Sequence, residues 1–110
     1  MGMWDYEAWD NDSAANWFGD LMDATNLRSK WLEGIKSDLE DEFEVARAAL
    51  WLFVQLGRLY VWPIENYNDD LELAITVGEQ ITSLEWVNEE IPEYVLKVKS
   101  EVEQLKGRRK

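Results

Sequence analysis

The stretch VARAALWLFVQLGRLYVW, residues 45–62, decides how the rest of this chain folds. Only Arg47, Gln55 and Arg58 in it are strongly polar. A helix built from it is apolar almost all the way round, and such a helix is buried on most sides. The expectation is a central helix over about residues 41–61, wrapped by amphipathic partners. A membrane span is the rival reading. At about 18 residues the run is short for a bilayer, although Arg47 and Arg58 could snorkel from its ends. The flanks argue for a buried helix of a soluble domain: Glu40, Asp41, Glu42 and Glu44 precede the run, and the neighbouring segments are two-faced and need a partner.

Upstream, Ser37-x-x-Glu40 fits a capping box for this helix, and acids at 38, 40, 41, 42 and 44 suit the positive end of its dipole. Before that come two amphipathic stripes. Ala14, Trp17, Phe18, Leu21 and Met22 predict a helix over 13–23, with Asn11, Asp12 and Ser13 all good N-caps. Leu27, Trp31, Leu32 and Ile35 predict another over 27–37, with Gly34 either weakening it or letting a neighbour come close. Residues 1–10 carry Trp4, Tyr6 and Trp9 without helical period and read as an irregular arm that seals one end of the core.

Downstream, Trp62-Pro63 ends the long helix, because a residue before proline is pushed out of the α region. Residues 62–69 form the longest loop. Asn68 or Asp69 then caps a helix over about 70–86, on whose apolar face Gly78 invites close approach. Pro92 suits a first helical position. Ile91, Val95, Val98, Val102 and Leu105 recur at four and three residues and predict a helix over 92–106. Gly107 stops it, and residues 107–110 read as a loose basic tail. No stretch alternates as a strand would. The fold class expected is all-α: five helices, mostly antiparallel neighbours, in a single domain over 1–110.

Composition narrows function mainly by exclusion. The 110 residues contain no Cys and no His. No disulfide, thiolate or imidazole chemistry is open to them, which rules out Ser-His-Asp and cysteine hydrolases and His/Cys metal centres. The start, MGMWDYEAWD, has neither the basic nor the apolar region of a signal peptide, so a cytoplasmic location is expected. The net charge is −12 and unevenly spread. Residues 1–44 hold 12 acids and 3 bases, whereas residues 97–110 hold 2 acids and 6 bases. An acidic body disfavours nucleic-acid backbones and anionic membranes and favours basic protein partners.

The opening also carries a motif. Met1-Gly2, Trp4, the run Trp9-Asp10-Asn11-Asp12, then Ala14, Trp17 and Leu21 resemble the start of the bacterial family catalogued as domain of unknown function 4259. Asp5 stands where that family usually has a Gly after the Trp, and Glu7-Ala8 replace a further Gly-containing turn. The resemblance covers about the first 21 residues by motif and implies no activity.

Three sets of residues could form sites. Asp10, Asp12, Asp20 and Asp23 could gather oxygen ligands for magnesium or calcium, although capping and solvation explain them as well. Trp4, Tyr6, Trp9, Trp62 and Tyr67 could line an aromatic groove for a peptide or a flat ligand, or could seal the core. Arg47 and Arg58 should each reach an acid on a neighbouring helix or surface at an end. Trp17, Trp31, Trp51 and Trp86 fall on or beside stripes and are expected in the core. With no catalytic constellation and no cofactor-binding pattern, the chain reads as a module that binds a basic protein, immunity-like or regulatory. A carboxylate-based metal-dependent enzyme and self-association through Val95, Val98 and Val102 are the alternatives.

Overall fold

A computed structural model describes residue 8 and residues 11–109. The arm that carries Trp4, Tyr6, Trp9 and Asp10 lies outside the described residues, as does Lys110. Among the described residues there are six helices and no strand: α1 (Asp12–Thr25), α2 (Leu27–Ile35), α3 (Leu39–Leu56), α4 (Tyr67–Thr82), α5 (Glu85–Glu90) and α6 (Pro92–Lys106). The all-α class stands, with one helix more than the five expected.

Local chemistry sets each boundary. Asn11 caps α1, its Oδ1 accepting the Ala14 N–H at 2.8 Å. Asn26 joins α1 to α2 with φ 53°, a left-handed turn that asparagine tolerates better than most residues. At the start of α3 the cap is Asp38, whose carboxylate accepts the Glu40 N–H at 2.9 Å. Ser37, the cap expected from sequence, instead donates back to the Glu33 carbonyl and closes α2. The first turn of α3 then kinks at Glu42.

The largest departure is where α3 stops. It ends at Leu56, not near 61. Gly57 takes the C-cap, and its N–H donates to the Phe53 carbonyl at 2.6 Å. A Cβ at Gly57 would collide with the Phe53 ring and carbonyl, so this tight ending requires glycine. Turns follow through residue 66, with Tyr60 at φ 73°. Val61 and Trp62 are therefore buried from a turn, not from a helix. The second departure is at Thr82, where α4 ends four residues before the expected 86. Asn88 donates to the carbonyls of Thr82 and Leu84 and satisfies the break, and α5 starts beyond it. By contrast, α6 has the bounds read from sequence.

The core lies where α3, α4 and α6 meet, with α2 covering one side of α3. Arg47 pairs with Glu101, and Arg108 reaches Val54 with the same offset of 54 residues, so α3 and α6 run parallel. The helix between them in sequence, α4, runs the other way: Gly78 faces Leu50, and Tyr67 stacks on Phe53. The expectation of mostly antiparallel neighbours is thus corrected for α3 and α6. Gly78 forms a notch; a Cβ there would collide with Val102 of α6 and press on Leu50 of α3. Val98 and Leu105 have no exposed surface, and Val95 and Val102 almost none.

Two further expectations are overturned. The long apolar helix is not enclosed by the described residues: Trp51 is 50% exposed, and Val45 and Ala48 are also open. Trp17 and Trp86 are exposed as well, leaving Trp31 as the one core residue of that expected four. The described part of the basic tail is not loose. The Arg108 guanidinium donates to the carbonyls of Val54 (2.7 Å) and Gly57 (3.0 Å), taking up acceptors at the C-terminal end of α3. Arg109 grips Glu72 of α4 through two hydrogen bonds of 2.7 and 2.8 Å. A cation suits a helix C-terminus, but the helix that Arg108 serves is α3 and not its own. Among the described residues, no helix is long and apolar enough to cross a membrane.

Candidate interaction surface and buried ion pairs

Of the five aromatics expected around a groove, Trp62 and Tyr67 are in the core, at 2% and 7% exposure. The early end of α3 folds the following turn back over the helix. Trp62 then meets Trp31 and Phe53 edge-on at 5.1 and 4.9 Å. The aromatic bodies supply apolar area, and both indoles find acceptors. Trp31 Nε1 donates to the Ala49 carbonyl at 2.9 Å, and Trp62 Nε1 to Asp70 at 2.8 Å. Trp4, Tyr6 and Trp9 fall outside the described residues.

The three expected metal ligands that are described form no cluster of their own. Asp12, Asp20 and Asp23 are exposed along α1, and Asp10 is outside the described residues. Among the described residues no three acid side chains gather closely enough to hold a metal ion.

Sequence reasoning missed Asp70. It lies in the first turn of α4, 2% exposed, at the positive end of the helix dipole. Arg28 of α2 donates to it twice, from Nε at 2.7 Å and Nη2 at 2.9 Å. With Trp62 that makes three donors on one carboxylate. The hydrogen bond to Asp70 holds the Arg28 pKa above its ordinary value against the opposing effect of burial. The pair lies beside a cleft of about 640 Å³ whose walls include Asp23, Asn26 and Asn66. A carboxylate held by three N–H donors ties α2, the turn and α4 together. A signal was present: Asp70 stands four residues before Ala74 and eight before Gly78, on the apolar face of α4.

A second pair joins α3 to α6. Arg47 donates to Glu101 at 2.7 and 3.1 Å, and its guanidinium lies 4.9 Å over the Tyr94 ring. The hydrogen bond to Glu101 raises the Arg47 pKa, and burial raises that of Tyr94. This is the acid on a neighbouring helix that the sequence led one to expect for Arg47. Among the described residues, no buried side-chain polar atom is left without a hydrogen-bond partner.

What remains open is the outer side of α3. Val45, Ala48, Trp51 and Leu52 form one wall of a groove of about 880 Å³, and Leu27, Lys30 and Gly34 of α2 form the other. Gly34 allows the two helices to pack closely, its missing side chain facing Ala49. Glu33 and Glu42 stand on the rim. Asp38, Glu40 and Asp41 are exposed next to Glu42 at the start of α3, and Lys30 is the one base among the residues lining the groove. An apolar floor with a half-exposed tryptophan and a charged rim has the make-up common in surfaces that other molecules cover. No protein-family model matches this chain, and neither a curated protein nor a solved structure does.

Proposed function

We propose that this protein is a small interaction module that binds a basic protein partner in the cytoplasm. The observation that carries the reading is the exposed acid run at the start of α3, five carboxylates in residues 38–44 with no base among them, on a chain of net charge −12. Such a field steers a cationic partner and repels nucleic acid and anionic lipid. The two half-buried ion pairs hold helices together, a structural role that weighs against the enzyme reading. Kinship with the domain of unknown function 4259, carried by the opening motif, belongs to the same proposal and adds no activity to it.

Binding to lysine homopolymer, followed by interferometry across a salt series, tests this. The expected result is association that slows steeply as ionic strength rises through the physiological range. No binding at low salt, or binding indifferent to salt, overturns the reading. The alternative of self-association moves from the α6 valines, which are buried, to the open face of α3. Sedimentation equilibrium decides it.

A further inference from the structure

We infer that the groove between α2 and α3 is the docking site for an amphipathic helix of the partner, one with an apolar stripe and a basic end. This rests on the reading of the chain as a binder of basic proteins and specifies where and how that binding occurs.

Three observations converge on it. First, α3 offers an apolar face that no described residue covers: Val45, Ala48 and Trp51 lie one above the next at helical spacing, all exposed. Second, the groove has the shape a helix needs. Ala48 is a small residue midway along it, flanked by Val45 and Trp51, and Gly34 keeps the opposite wall low. The groove runs along α3 from Glu42 to Leu52, a rise of about 15 Å at 1.5 Å per residue. That length matches a ligand helix of about three turns, with anchors at i, i+3 or i+4, and i+7. Third, charge selects the ligand. Glu42 lines one end of the groove with Asp38, Glu40 and Asp41 exposed beside it in sequence, against the single base Lys30 on the wall, so the matching helix carries Lys or Arg at that end. A second copy of this chain fits the charge poorly, since each copy would bring −12 to the contact.

Isothermal calorimetry with three probes tests the inference. These are a Leu/Lys amphipathic peptide of about four turns, the same composition scrambled, and lysine homopolymer. The variants are Ala48→Gln and Trp51→Gln, which fill or strip the groove without changing net charge. Both positions are exposed, and circular dichroism verifies the fold. The amphipathic peptide should bind the parent chain about tenfold more tightly than the scrambled one. Each variant should remove about that factor and leave homopolymer binding unchanged. Equal affinity for the two peptides, or no effect of either variant, overturns the groove and leaves the basic-partner reading standing. Failure of all three probes overturns both. Dimerisation that Trp51→Gln abolishes overturns the inference in favour of a second copy as occupant.

Discussion

Helix α3 has two apolar sides with opposite fates. Ala46, Leu50, Phe53 and Val54 face the core and are sealed, all but Val54 completely. Val45, Ala48 and Trp51 are chemically similar and stand open. Apolarity sets how much surface a helix can bury, but only the supply of neighbours decides how much it does. In this chain α2, α4 and α6 reach α3, while α1 lies against α2. Among the described residues no element claims the other side.

Five measurements test this contrast. Leu50→Ala opens a cavity on the sealed side and should cost about 2–5 kcal/mol in chemical denaturation. A loss under about 1 kcal/mol would mean that the sealed side is not sealed. Gly78→Val drives a branched side chain into the notch that Leu50 and Val102 share; the expected loss is about 1–3 kcal/mol. Arg108→Gln leaves carbonyls at the end of α3 without their charged donor. It should cost about 1–2 kcal/mol and speed amide exchange most over the last turn of α3.

Alkaline titration probes the sealed side through Tyr67. Burial, opposed by Arg108 and Arg58, raises its pKa. The sign follows from which form the fold prefers. Folding favours the protonated phenol, so its contribution is complete below the unfolded value of about 10 and declines as pH rises through the higher folded value. The melting temperature should drop above about pH 10, and Tyr67→Phe should flatten that drop. An identical slope in the variant would assign the loss to other groups. Last, Trp51→Gln on the open side should change stability by no more than about 0.5 kcal/mol. A loss of several kcal/mol would show that the two sides are not different after all.

Much of this fold was legible in the residues. Pro92, the four-and-three seam and Gly107 delimit α6, and Gly78 announces a close crossing before any partner is known. The end of α3 was misread because side-chain hydrophobicity continues through Val61 and Trp62 after the backbone has turned. Gly57 marked the turn, but apolar periodicity outweighed it. At six residues, α5 is too short to show a period. Periodicity also gives a face, not a neighbour, which is why Trp17, Trp51 and Trp86 were expected inside. Arg108 had no local signal: its acceptors lie more than 50 residues earlier in the chain. The surface followed from composition, since acids concentrated before α3 had to point somewhere. The groove beside them needed the positions of α2 and α3.

The Arg108 contact also has a consequence in time. Carbonyls at the end of α3 leave the ribosome about 50 residues ahead of the guanidinium that serves them. Throughout that interval water alone can solvate them. Completion of α3 therefore waits for the last helix to be made and docked, and the two ends of that wait are joined by a contact of long sequence separation, the kind that slows folding. A nascent chain stalled before residue 108 should show a frayed α3, whatever the state of α1 and α2.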